Sequence, residues 1–189
     1  WGVPPDVLCI GSFQKDGVGW GPGLEPKLIK GPDVLVDAVA RLARDFPVFV
    51  LLTGPARGYV IKGLESHEIP YRHVFLDDYR AIVGCYHALD LYLVTSREEG
   101  GPKALLESMA SGVPLVATRT GMAEDVVEDG ANGYLAPVDD VEAIVTRARS
   151  LLGEGAPDFA ARGRLTAEAY DWSIVSEVLY DSVYRELVA

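Results

Sequence analysis

The residues with the most chemical content lie between Thr95 and Pro114, in the run Ser96-Arg97-Glu98-Glu99-Gly100-Gly101-Pro102-Lys103-Ala104-Leu105-Leu106-Glu107-Ser108-Met109-Ala110-Ser111-Gly112-Val113. An apolar strand ending at Thr95 and a helix beginning at Pro102 leave unpaired backbone amides at the helix start. Such amides carry partial positive charge and favour an anion. Gly100 and Gly101 have no side chain to hold a phosphate away from the backbone, and Lys103 adds a cation in the first turn. Leu105, Leu106, Met109 and Ala110 form an apolar stripe, with Glu107 well off it. At a rise of ~1.5 Å per residue, Glu107 lies about 7.5 Å along the axis from the helix start. That spacing puts a carboxylate acceptor one sugar-length from a bound phosphate, as ribose hydroxyls would require. Each feature also has a plainer reading. Lys103 and Glu107 are four apart and form an exposed helical pair in the less favourable order, and Glu98 and Glu99 complement the helix dipole. Together, with a strand before them and Gly112-Val113-Pro114 after, they point to a site.

The surrounding pattern alternates β-rich and helical segments. Strands are expected at Val7–Phe13, Val48–Thr53, Arg72–Leu76, Leu91–Thr95, Val113–Thr118 and Gly133–Ala136. Helices are expected at Asp33–Phe46, Gly58–His67, Arg80–Leu89, Pro102–Ser111 and Met122–Asp129, with the remainder helical. The strands read as apolar runs, as strands buried on both faces do. The pattern predicts an α/β fold: a Rossmann-like parallel sheet of about six strands with helices on both faces. Ligands of such sheets bind beyond the carboxyl ends of the strands. From Gln14 to Ile29 the chain is rich in Gly and Pro and carries Lys15 and Lys27. A structureless connection of this length is either a functional, mobile loop or a surface flap of no chemical role.

Composition narrows the function classes. A net charge of −11 argues against a duplex nucleic-acid surface, which needs clustered Lys and Arg, yet leaves room for a small phosphorylated ligand. No apolar run approaches the roughly 20 residues of a membrane span, and no signal peptide opens the chain. Cys9 and Cys85 fall in apolar segments, which suggests reduced, buried thiols and a cytoplasmic protein. His67, His73 and His87 have no metal-ligand spacing, so no metal is expected. The chain begins Trp1-Gly2-Val3-Pro4-Pro5, which reads like a linker and leads us to expect a piece of a longer polypeptide.

Several nucleotide signatures are missing. Gly17-Val18-Gly19-Trp20-Gly21-Pro22 fails G-x-G-x-x-G at its last position, and the second strand ends Thr53-Gly54 without the acid a dehydrogenase uses. There is no P-loop, no G-x-S-x-G elbow and no D-x-D that would bridge a metal to a diphosphate.

Glu99 and Glu107, in E-G-G-P-K-A-L-L-E-S-M-A-S-G-V-P, resemble the E-x7-E motif of the retaining glycosyltransferases of family 4, which have the GT-B fold. The resemblance extends to Lys30-Gly31, Leu115-Val116-Ala117-Thr118, Gly121-Met122-Ala123-Glu124, Asp129-Gly130-Ala131-Asn132-Gly133-Tyr134 and Asp171-Trp172-Ser173. It covers nearly the whole chain as that family's carboxy-terminal, donor-binding domain. Residues 1–189 would then be one domain, its last helices (about 157–189) packing on it or reaching toward a missing amino-terminal acceptor domain.

The resemblance implies a nucleotide-sugar donor of UDP, GDP or ADP type, no cofactor and no metal. It implies that Glu107 binds the ribose and Glu99 the transferred sugar. Gly100, the amides of Gly101, Pro102, Lys103 and Ala104, and Lys30 would hold the diphosphate. The base would lie against backbone beyond Leu76, near Tyr79, and Gly121 and Glu124 would shape the cleft wall, with a structural role for Glu124 equally open. Where the family has Gly-Arg after the first strand, this chain has Gly11-Ser12-Phe13-Gln14-Lys15. Lys15 is then the replacement, a point charge in place of a bidentate fork. Retention of configuration is implied, with Glu99 and Lys30 at the reacting end, as is little or no turnover by this chain alone. Competing readings are a non-enzymatic nucleotide-binding or interaction module, a nucleotide-sugar epimerase and, weakest, a dehydrogenase.

Overall fold

The computed structural model describes residues 1–153 and 157–185. Its centre is a six-stranded sheet, all parallel, in the order β3-β2-β1-β4-β5-β6. The strands are β1 (Leu8–Phe13), β2 (Val48–Thr53), β3 (Tyr71–Val74), β4 (Leu91–Val94), β5 (Leu115–Thr118) and β6 (Tyr134–Ala136). Alternation along each strand divides the apolar side chains between two faces. Ile10, Val48, Val50, Leu52, Leu91, Leu93 and Val116 go to one core. Cys9, Phe13, Phe49, Leu51, Tyr92, Val94, Leu115 and Ala117 go to the other. The first core is covered by α1 (Pro32–Leu42), α2 (Gly58–Ser66) and α6 (Val141–Gly153). The second is covered by α3 (Ile82–Tyr86), α4 (Lys103–Ala110) and α5 (Met122–Val126). The expected α/β sheet with helices on both faces is therefore present. Both cysteines are free and buried, and burial pushes the Cys9 thiol up to about 12.

Element ends differ from expectation where backbone chemistry intervenes. The first helix stops at Leu42, not Phe46, because Phe46 precedes Pro47 and is biased away from helical geometry. The third strand covers Tyr71–Val74; Phe75 and Leu76 lie beyond its last partner, Val74 opposite Thr53. The fifth strand begins at Leu115, since Pro114 has no amide and the Val113 amide donates to the Ser108 carbonyl. The helix expected at Arg80–Leu89 is a 3-10 turn, Tyr79–Ala81, followed by α3. The short fifth helix ends at Val126, because Asp129 leaves helical geometry to bridge Gly133.

After α6, the helix α7 (Pro157–Ala169) packs along α4, and Gly163 lies against Met109. The chain then leaves the core through α8 (Trp172–Leu179), whose amino terminus is capped by Asp171 accepting from the Ser173 amide. Trp172, Ile174, Val178 and Leu179 of α8 face solvent. Positions 154–156 and 186–189 of the expected helical remainder lie outside the described residues. Among the described residues, no helix is long and apolar enough to cross a membrane.

The Gly/Pro-rich connection after β1 is pinned. Gly17 bridges Pro26, the Val18 amide donates to Glu25 and the Lys27 amide to Asp16. The amides of Gly58 and Tyr59, at the start of α2, donate to the carbonyls of Pro22 and Gly23. The loop thus closes the amino terminus of α2 with its own carbonyls. At its root Asp16 pairs with Arg57, both side chains fully buried. Arg57 also donates to the carbonyls of Ser12, Gln14 and Thr53, tying the loop to the ends of β1 and β2. Removing the guanidinium leaves Asp16 buried and uncompensated. Arg57→Ala is expected to cost about 3–5 kcal/mol, read as a lowered urea midpoint with an unchanged m-value.

Candidate nucleotide-binding cleft

The strand order reverses between β1 and β4, where crossovers leave in opposite directions and open a crevice above the carboxyl ends of the strands. A cavity of about 630 Å³ lies there. The structure brings Lys15, Lys30, Leu76, Tyr79 and Glu99 to its lining, together with Gly101, Pro102, Lys103, Ala104 and Glu107. Gly100 and Gly121 are not part of that lining.

Helix α4 enters this cavity amino terminus first. Pro102 is its cap residue in extended geometry, no side chain caps it, and no acid occupies its first turn. Pro102 has no N–H, so the expected row of amides from Gly101 to Ala104 is broken there; Gly101, Lys103 and Ala104 are the donors available. The contrast with α2 is informative, since loop carbonyls already occupy that helix's first amides.

Beside α4, Lys30 Nζ meets Glu99 Oε1 at 2.5 Å, and Ser96 Oγ donates to the same oxygen at 2.9 Å. An ammonium has three N–H donors, so Lys30 keeps two for a ligand. Its position is set from behind. Lys30 ends a 3-10 turn, Leu28–Lys30, closed by Gly31 in the left-handed region at φ 60°. A Cβ at Gly31 would lie 1.9 Å from the Thr95 carbonyl oxygen, so only glycine lets the Lys30 turn sit on the end of β4. The amides of Arg97 and Glu98 both donate to the Ile29 carbonyl. Arg97 makes a two-pronged pair with Asp33 at 2.7 and 2.8 Å and also meets Asp139. Gln14 Nε2 donates to the Lys30 carbonyl at 3.2 Å.

Gly121 acts on the opposite side of the Glu99 loop. It adopts φ 48°, and a Cβ there would lie 1.9 Å from the Glu99 carbonyl oxygen. The Met122 amide donates to the Gly100 carbonyl. Gly121 therefore packs closely against the Glu99–Gly100 backbone and buttresses that loop.

At the other end of the cavity Glu107 is held by two phenols. Tyr86 donates to Oε2 at 2.9 Å and Tyr79 to Oε1 at 2.5 Å. Tyr86 is buried and packs edge-on against Phe13, with centroids 4.8 Å apart. Burial raises its hydroxyl far above the ordinary tyrosine range, so it stays protonated as a donor. Burial, then Glu107, pushes Tyr79 up to about 12. Phe75 and Ile82 complete an apolar wall near Leu76. His73, whose imidazolium form burial disfavours, donates from Nε2 to the Gly54 carbonyl at 2.6 Å. Lys15 lies on the rim with its ammonium 3.7 Å from the centroid of the Trp20 ring, a cation–π contact.

Sequence reasoning missed Tyr86, Arg97, Asp33, Ser96 and Arg57. Ser96 and Arg97 lie just before the motif, and the only available signal was their place directly after an apolar strand. Nothing local marks the other three.

The chain matches the family model described as glycosyl transferases group 1 over residues 23–154. It is similar to a D-inositol 3-phosphate glycosyltransferase of Saccharomonospora viridis, 29% identical over all of this chain and 45% of that protein. The chain spans about half the length of the curated relatives it matches. Among solved structures, HepE of Anabaena in complex with UDP-glucose superposes with a TM-score of 0.78, at 19% identity over 95% of this chain and 49% of that one. The carboxy-terminal domain of a glycosyl transferase group 1 protein, LpcC, of Francisella tularensis superposes with a TM-score of 0.72, at 20% identity over 87% of each.

The Arg97–Asp33 pair yields a pH dependence. Its hydrogen bond holds the Asp33 carboxyl below the ordinary value of 3.8, so the pair stabilises fully above that value and is lost as pH falls through the depressed one. Asp33→Asn is expected to cost roughly 1 kcal/mol at neutral pH. In thermal denaturation, the gap between wild type and variant should close below about pH 4.

Proposed function

The chain belongs to the glycosyl transferases group 1 family, and from that premise we propose that it is the carboxy-terminal, donor-binding domain of a family 4, GT-B glycosyltransferase. A sugar, of the hexosyl class, moves from a nucleotide diphosphate to an acceptor with retention of configuration. The observation that carries this reading is the uncapped amino terminus of α4, which opens into the same cavity as Lys30, Glu99 and Glu107. The likeness to HepE, solved with UDP-glucose, supports a nucleotide-sugar ligand. The likeness to the LpcC domain supports the carboxy-terminal placement.

In this reading the diphosphate lies against the amides of Gly101, Lys103 and Ala104, with Lys30 as its cation and Lys15 or Lys103 within reach from the rim. Glu107 accepts from the ribose hydroxyls, and the base lies beyond Leu76 near Tyr79. Glu99 accepts from the hydroxyls of the transferred sugar while its other partners, Lys30 and Ser96, fix its rotamer. As the glycosidic bond breaks, negative charge grows on the β-phosphate oxygens. Helix amides and Lys30 meet that charge already oriented, which lowers the barrier by a few kcal/mol per donor. No cofactor or metal ion takes part. The leaving phosphate assists removal of the acceptor's proton.

Residues 1–189 act as one domain, and the exposed apolar face of α8 reaches toward an amino-terminal domain that supplies the acceptor. This chain alone then binds nucleotide and turns over little or no sugar. In this reading the reaction takes place in the cytoplasm. Calorimetric titration with UDP, GDP and ADP is expected to give saturable binding by at least one, unaltered by EDTA. Glu107→Ala and Lys30→Ala should each weaken it about tenfold or more. Absence of heat with all three diphosphates would refute the proposal.

A further inference from the structure

The bond between Tyr79 and Glu107 carries an inference that rests on reading Glu107 as the ribose carboxylate. A carboxylate offers two oxygens with about four acceptor directions in all. Tyr86 bonds Oε2 from the core side: it is 1% exposed, is wedged against Phe13 and Tyr92, and does not line the cavity. Tyr79 bonds Oε1 from the cavity side, since both it and Glu107 line the cavity. Tyr79 is 61% exposed, starts a single 3-10 turn and belongs to neither hydrophobic core. Its hydroxyl therefore stands on the side from which a ligand hydroxyl must approach, and little packing resists its departure.

We infer that Tyr79 is a placeholder for a ribose hydroxyl and thereby limits how tightly the site holds a ribonucleotide. Its phenol holds Glu107 Oε1, and a nucleotide must displace it with a hydroxyl of its own, while Tyr86 keeps the carboxylate oriented throughout. Displacement exchanges one O–H···O⁻ bond for another, so a ligand carrying the vicinal diol releases Tyr79 at little net cost. A ligand lacking both hydroxyls leaves Tyr79 in place and gains nothing from Glu107. The competition thus tempers the affinity for ribonucleotides, because part of what Glu107 offers the ribose is spent on releasing Tyr79.

The test uses Tyr79→Phe, which keeps the ring and removes the hydroxyl at an exposed position. UDP, GDP and ADP are titrated against wild type and variant, each beside its 2′,3′-dideoxy counterpart. The variant is expected to bind the ribose form about threefold to tenfold more tightly, as loss of one competing hydrogen bond allows, and the dideoxy form with unchanged affinity. Weaker or unchanged binding of the ribose form, or an equal change for both forms, would overturn the inference and leave the donor site standing. Failure of every diphosphate to bind either protein would overturn the donor-site reading and this inference with it.

Discussion

A helix that starts in open space has amide hydrogens with nothing to bond, and the chain must either satisfy them itself or leave them for a ligand. Both solutions occur here within one sheet. The first amides of α2 are closed by the carbonyls of Pro22 and Gly23. Those of α4 are preceded by Pro102, carry no capping side chain and open into the cleft. Much of the surrounding structure has the effect of keeping that second terminus open and correctly furnished.

The furnishing comes in two parts. On one side, the fit of Gly31 against Thr95, the Ile29 carbonyl shared by two amides and the Arg97–Asp33 pair lock the Lys30 turn to the Glu99 loop. Gly121 presses on that loop from the far side. On the other, an aromatic layer of Phe13, Tyr86 and Tyr92 lies beneath Glu107 and fixes one of its oxygens. The cation and the two carboxylates are therefore held by backbone and core, so the site is largely ordered before anything binds.

The sheet was legible because its inner strands β1, β2, β4 and β5 are buried almost throughout and read as largely apolar runs, and the Glu99–Glu107 spacing was legible because both lie in one short segment. Boundaries were less so where one residue changes the backbone chemistry, as Pro114 does by lacking an amide and Pro47 by constraining Phe46. The supporting contacts were not legible at all. Tyr92 reaches Phe13 across 79 positions and Arg97 reaches Asp33 across 64; these pairs exist only once β4 has been laid beside β1. The pinned loop was likewise hidden, because Asp16 and Arg57 are unremarkable until the end of β2 is brought to the end of β1.

The central claim concerns which peptide groups meet the phosphates, and amide-resolved NMR addresses it most directly. Titrating a nucleoside diphosphate into ¹⁵N-labelled protein should shift the Gly101, Lys103 and Ala104 amides strongly and saturably. The Gly58 and Tyr59 amides of α2, already engaged by the loop, should stay where they are. Saturable binding that moves the α2 amides, or that leaves the three α4 amides unshifted, would contradict the account.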